Sequence, residues 1–384
     1  MIYLDNNATT ELAAEALRAM MPYLEKCYGN PSSVHQAGQE ARHAVEEARY
    51  KVAEFIQCRP AEVIFTSGGT ESDNAAMMGV LAVRTDRKTI VTSEVEHSAV
   101  REPLAYLAKR GYRIMNIGVD TLGRLDMEAL RSALTDPDVA LLSLIWANNE
   151  TGVTFDIDAI GALAREHRVL FHVDAVQAAG KIPLCFSSRP VDLLSISGHK
   201  FHGPKGVGAL VVRRGVAFQP LIRGGPQERD RRGGTENVPA IVGMGAAAAR
   251  AHARLADPAN LQRITALRDR LEQGILRTVP ESFVNGDQAN RTCNTTNIGF
   301  ASLEAEAILM LLNQHDICAS AGAACSSGSL EPSHVLKAMG IAENIAHGAV
   351  RFSLSELTTD SEIDQTLQVI PQVISRLRQV LPVG

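Results

Sequence analysis

The sequence contains no stretch approaching the about 18 apolar residues that cross a bilayer. Its N-terminus, Met1-Ile2-Tyr3-Leu4-Asp5-Asn6-Asn7, lacks both a basic n-region and an apolar h-region. Export and membrane insertion are therefore not expected, and the chain is read as cytoplasmic. Positive charge is not in excess either: a formal net charge of −5 gives no general attraction to phosphodiester backbones or anionic lipid, so neither nucleic acid nor a membrane is expected as a partner. The six cysteines, at 27, 58, 185, 293, 318 and 325, form no C-x-x-C pair. That argues against a zinc ribbon or a disulfide framework and fits a reducing compartment. No segment is of low complexity, and none repeats with a period of about 20–50 residues.

What is present is a chain of 384 residues, 45% hydrophobic and 21% charged. That length exceeds the usual domain of about 100–200 residues, so one large and one smaller unit are expected. Between residues 62 and 213, apolar runs at 63–66, 89–92, 112–119, 139–147, 170–173, 193–197 and 207–212 alternate with helix-period segments at 98–110, 126–134 and 158–166. Runs with little polar alternation belong to strands covered on both faces, so an α/β fold with a mainly parallel seven-stranded sheet is expected. A helix over 241–255 precedes Asp257-Pro258, where the pattern changes. Residues 14–256 are read as the large domain. Residues 1–13 and 257–384, with helices over 261–276, 305–313 and 361–381, are read as a smaller α+β domain.

Chemistry concentrates at Ser195-Ile196-Ser197-Gly198-His199-Lys200-Phe201-His202-Gly203-Pro204-Lys205-Gly206-Val207-Gly208, between two expected strands. A lysine that forms a Schiff base needs a fixed position and a lowered amine pKa, and neighbouring hydroxyl and ring donors can bind a phosphate. Alone, the segment also reads as a glycine-rich turn with two solvated lysines. Asp174, at a strand end in His172-Val173-Asp174-Ala175-Val176-Gln177, is a carboxylate that could keep a pyridine nitrogen protonated, or a simple helix cap. Ser67-Gly68-Gly69-Thr70 follows a strand and opens a helix, so its free N–H groups and the Thr70 hydroxyl make an anion cradle, although no G-K-[ST] follows. His97 and the Asn149 amide, both after strands, are further candidates for proton transfer and cofactor contact. A structural histidine and an Asn-rich turn are the competing accounts.

Together with Gly29-Asn30-Pro31-Ser32-Ser33, these motifs resemble the class-V, fold-type-I pyridoxal-phosphate enzymes, with the cysteine desulfurases as the nearest members. Trp146-Ala147-Asn148-Asn149-Glu150-Thr151-Gly152, Arg223-Gly224-Gly225, Arg231-Arg232 and Ser329-Leu330-Glu331-Pro332-Ser333-His334 resemble most the nitrogen-fixation branch, with the housekeeping branch as the alternative. The likeness runs from Tyr3-Leu4-Asp5-Asn6-Asn7 to the C-terminal helix. It implies pyridoxal 5'-phosphate on Lys200, with Asp174 at the ring nitrogen, Gln177 and Asn149 at the phenolic oxygen and His97 stacked on the ring as acid and base. It implies a phosphate held by Gly69, Thr70, Ser197 and His199, with Thr235 reaching in from the second subunit of a homodimer. Arg351 is the implied clamp for the substrate carboxylate, with Asn149 beside it.

Cys325 lies among Ala, Ser and Gly residues that bury little apolar surface, which predicts a loop over about 318–332 carrying a nucleophilic thiol. Ala319-Ser320-Ala321-Gly322-Ala323-Ala324-Cys325-Ser326-Ser327 departs from the family's Ser-Ser-Gly-Ser-Ala-Cys-Thr-Ser pattern by losing two hydroxyls. The implied reaction converts L-cysteine to L-alanine with a persulfide on Cys325, destined for an iron–sulfur scaffold protein. A housekeeping-type desulfurase, a selenocysteine lyase, a class-V aminotransferase and a non-catalytic docking protein are the rival readings. No metal site is expected.

Overall fold

The computed structural model describes residues 1–321 and 332–380. Its strands are β1 (Ile2–Tyr3), β2 (Val63–Thr66), β3 (Thr89–Ser93), β4 (Arg113–Ile117), β5 (Val139–Ile145), β6 (Leu170–Asp174), β7 (Leu193–Ser197), β8 (Gly208–Val212), β9 (Ser282–Val284), β10 (Thr295–Phe300), β11 (Ile317–Cys318) and β12 (Ala349–Ser353). Seven of them form one sheet in the order β2-β8-β7-β6-β5-β3-β4. The β7–β6, β6–β5, β5–β3 and β3–β4 pairs are parallel, whereas β8 runs antiparallel to both β7 and β2. The expected strand at 112–119 is shorter, because it lies at the sheet edge, where Arg113 and Asn116 face solvent and the ladder ends at Ile117.

Successive side chains of these strands feed two different cores. Phe65, Val91, Leu194, Ile196 and Val211 belong to one cluster, and Ile64, Ile90, Leu193 and Leu210 to another on the opposite face. Each such residue is essentially inaccessible, and burying one contributes about 1.5–3 kcal/mol. The faces are covered by helices including α1 (Ala14–Glu25), α2 (Gln36–Ile56), α3 (Gly69–Leu81) and α4 (Ser98–Ala108). α1 and α2 have no counterpart among the helices read from the sequence. Caps fix several helix starts: Asp126, Asp156, Asn237 and Asp257 each accept a main-chain N–H from the following turn.

A third cluster joins Ile2 and Leu4 to residues of the C-terminal segment, including Leu271, Ile298, Phe300, Val350, Phe352 and Ile374. It backs the antiparallel sheet β12-β10-β9 and the parallel pair β1-β11. Val335, Leu336 and Met339 of the same C-terminal segment pack instead into the core of the large sheet. The segment after β1 thus passes the end of β12, with Asp5 bridged to Ser353, and delivers Asn7 and Ala8 to the carboxyl ends of the large sheet.

Candidate active site

A cavity of about 460 Å³ opens where β2, β3, β5, β6 and β7 end. That is the side of an open α/β sheet on which ligands collect. Lys200, Asp174, Gln177, Asn149, Gly69, Thr70, Ser197, His199, His97 and Arg351 all line it. Thr235 is exposed and stands outside the cavity of its own chain. Cys325 lies outside the described residues.

Lys200 is positioned by a tight reversal. β7 ends in a 3-10 turn over Gly198–Lys200, and Gly203 N–H donates back to Gly198 O before the chain returns as β8. Gly208 is required at that return, because a Cβ there would lie 2.7 Å from the carbonyl carbon of Gly68 and from Ile196 O. Its absence lets the start of α3 pack directly on the lysine hairpin. Lys200 Nζ donates to Asn7 O at 2.6 Å and to Ala8 O at 2.9 Å. The N-terminal segment therefore holds the amine in the cavity.

Asp174 is 3% exposed, and its Oδ1 accepts Val176 N–H at 2.9 Å. Burial pushes its carboxyl up, opposed by His97, the Val176 N–H and Lys200. His97 caps α4: its Nδ1 accepts Ala99 N–H at 3.1 Å. Nδ1 then bears no proton, so neutral His97 is the Nε2–H tautomer and proton exchange with the cavity passes through Nε2. Burial pushes the His97 pKa down, with Asp174 opposing and Lys200 adding to the fall.

Arg351 enters from β12, only 2% exposed; Nη1 donates to Asn149 O at 2.8 Å and Nη2 to Asp5 Oδ1 at 2.6 Å. Its buried Nε has no hydrogen-bond partner among the described residues. Gln177 Nε2 donates to Asn7 O at 2.8 Å, and its Oε1 accepts from Lys181 Nζ at 2.9 Å, so one amide proton remains for the cavity. His199 Nδ1 pairs with Thr9 Oγ1 at 3.1 Å, and burial first, then Lys200, pushes its pKa down to about 4. It is a neutral donor rather than a cation.

Several lining residues escaped the sequence reading. Asn7 and Ala8 act through main-chain carbonyls, which leave no signature in residue type. Asp73 sits one turn into α3, and Glu150 and His334 close the far wall, where Ser333 Oγ donates to Glu150 Oε2 and His334 Nε2 pairs with Glu96 O at 3.0 Å. A polar residue on an otherwise apolar helix face, as with Asp73 beside Ala75, Ala76 and Met77, is the signal that could have marked one of them.

An amine, a buried carboxylate and a helix N-terminus around one cavity at the sheet's carboxyl edge define a site for an anionic, ring-bearing carbonyl cofactor. A family model described as aminotransferase class-V matches residues 2–366. "Cysteine desulfurase 2" of Trichormus variabilis is 52% identical over 100% of this chain and 95% of its own length. "Cysteine desulfurase NifS" of Azotobacter vinelandii is 50% identical over 99% of this chain and 94% of its own. Among solved structures, one described as a NifS-like protein has a TM-score of 0.91 at 36% identity, covering 98% of this chain and 100% of that one. SspA in complex with cysteine has a TM-score of 0.82 at 31% identity, covering 94% and 100%. The chain belongs to the class-V aminotransferase family, among its cysteine desulfurases.

The family depends on pyridoxal phosphate, and the residues present suit that group. The cavity is large enough for a ring and a phosphate, and the first N–H groups of α3 have no intrahelical acceptor. Lys200 offers the amine and Asp174 the acid for a ring nitrogen.

Proposed function

We propose that the chain takes sulfur from L-cysteine onto Cys325, releasing L-alanine, and that it works as a cytoplasmic homodimer feeding an iron–sulfur scaffold protein, in nitrogenase maturation. The observation that carries this reading is the convergence of Lys200, Asp174 and Arg351 on one cavity. The relatives' names and the cysteine-bound neighbour support the substrate. Residues 14–256 are proposed as the cofactor domain, and 1–13 with 257–384 as the smaller one.

Bound pyridoxal phosphate supplies an aldehyde that condenses with amines and a ring that accepts electrons from a deprotonated α-carbon. Gly69, Thr70, Ser197 and His199 would hold its phosphate, with Thr235 of the second subunit, and Gln177 and Asn149 would bind its phenolic oxygen. Asp174 keeps a proton on the ring nitrogen. Arg351 orients the amino acid by its carboxylate, for which Nε and the second proton on each Nη remain. Lys200 would be the base that takes the Cα proton, and its hydrogen bonds to Asn7 and Ala8 would stabilise the ammonium so formed. His97 Nε2 would exchange protons with the bound substrate.

The net exchange balances. The Cβ–S bond of cysteine breaks and an S–S bond to Cys325 forms. The substrate carbon takes the proton released by the Cys325 thiol. One alanine therefore appears for each persulfide.

The test is incubation with L-cysteine while alanine and protein-bound persulfide are measured in the same sample. Equal amounts, with the persulfide lost in Cys325→Ala, are expected. Full sulfide release by Cys325→Ala would contradict the nucleophile, and a keto-acid product in place of alanine would favour an aminotransferase.

A further inference from the structure

Beneath the cavity lies a second carboxyl with no role in the reaction above. Asp73 of α3 is 1% exposed and lines the cavity together with Asp174. It faces a chain of buried polar groups on the sheet. His172 of β6, wholly inaccessible, pairs through Nδ1 with Ser143 Oγ at 2.9 Å and through Nε2 with Ser195 Oγ at 2.9 Å. Asp73 Oδ1 lies 3.6 Å from the same Nε2, beyond hydrogen-bond reach, and finds no hydrogen-bond partner among the described residues, so that Ser195 is the one neutral group that supports the carboxyl from the sheet.

The hydrogen-bond accounting constrains the charges. Burial pushes His172 down to about 3, so the ring is neutral and carries one N–H, which Ser143 or Ser195 takes. No counter-charge is then left for Asp73 from β6 or β7. The other groups facing it are Asp174 at the end of β6 and Glu96 before α4, both acidic, while His97 and Lys200 lie across the cavity toward Asp174. Glu71, on Asp73's own helix, is turned away to Arg232 at 2.9 Å. Three buried carboxyls cannot all ionise when the cations lean to one of them. An unpaired carboxylate oxygen in so dry a place costs far more than a neutral one. Burial first, then Asp174 and Glu96, pushes the Asp73 carboxyl well above the usual range against the opposing hydrogen bond from Ser195, in agreement with this accounting.

We propose that Asp73 is a positioning residue that stays protonated beneath Asp174, so that the single negative charge of the acid cluster rests on Asp174, where a ring nitrogen meets it. The inference rests on the cofactor reading above. It assigns Asp73 a task that a bulky apolar side chain would not perform: a neutral, polar neighbour that leaves the ionisation of Asp174 undivided.

Two measurements on the cofactor-loaded protein test this. In the infrared, the parent at neutral pH should show a protonated-carboxyl C=O band that disappears in Asp73→Asn and survives in Glu96→Gln. In a pH titration of the cofactor's visible absorbance, Asp73→Asn, which mimics the neutral acid, should keep the parent midpoint within about 0.5 unit, and Asp73→Ala should move it by more than that. If Asp73→Ala does not fold, Asp73→Ser takes its place. A parent without the Asp73 band, an Asp73→Asn midpoint displaced beyond that bound, or an unmoved Asp73→Ala would each overturn the proposal. Absence of visible absorbance in the loaded parent would instead sink the cofactor reading.

Discussion

Lys200 Nζ lies 2.6 Å from the main-chain carbonyl oxygen of Asn7, 193 residues earlier in the chain. The N-terminal strand is therefore part of the site: β1 and Leu4 anchor it in the C-terminal core, and Asn7 meets the lysine at the carboxyl edge of the large sheet. Two main-chain carbonyls thus fix the position of the amine.

His97→Gln should lower kcat by about 10²–10³, within the range for loss of a general acid–base group, while cofactor absorbance persists. Steady-state kinetics beside a spectrum of the same preparation checks it. Because burial holds His97 below its ordinary value, the acid limb of the parent's kcat profile should fall below pH 6.5.

Arg351→Lys should raise KM for cysteine roughly tenfold to a hundredfold, since a point charge replaces a planar fork. The cofactor spectrum without substrate should not change. A KM equal to the parent's would remove Arg351 from the substrate.

Glu96 tests the electrostatics through stability. Burial pushes its carboxyl up to about 8 from an ordinary 4.5, although Ser93 Oγ at 2.5 Å and Ile145 N–H at 3.0 Å both donate to it. The folded state thus binds a proton that the unfolded state releases between those values, and this contribution is lost as pH rises from 4.5 through 8. Glu96→Gln keeps the acceptor oxygen and should gain Tm relative to the parent progressively from pH 5 to 8, then level off. Thermal melts across that range decide it, and a difference independent of pH would refute it.

His172 gives the opposite slope. With a folded value near 3 against 6.5 unfolded, the unfolded state gains the proton first as pH falls. Stability present above pH 6.5 is lost toward pH 3, by on the order of 5 kcal/mol for this group alone. Melts of His172→Gln should show a shallower acid decline than the parent.

Strands such as Val139–Ile145 and Gly208–Val212 were legible because they are buried on both faces and read as unbroken apolar runs, whereas the edge strand Arg113–Ile117 is half exposed and its bounds were read too long. The two-residue strands Ile2–Tyr3 and Ile317–Cys318 were not legible, since pairing, not composition, defines them. α2 has a buried face made largely of Ala, such as Ala41, Ala44 and Ala48, which gives a weak apolar stripe between its many charges. Lys200, Asp174 and His97 were readable because reactive types stand at strand ends. Asp73 was not, because its meaning comes from His172 and Asp174, about 100 residues away in the chain.

The central claim is a covalent link between Lys200 and the coenzyme. Borohydride reduction of the coloured protein, followed by peptide mapping, should place a phosphopyridoxyl group on the peptide containing Lys200 and on no other, and Lys200→Ala should yield none. A label on Lys181 or Lys205, or an unlabelled coloured protein, would contradict the account.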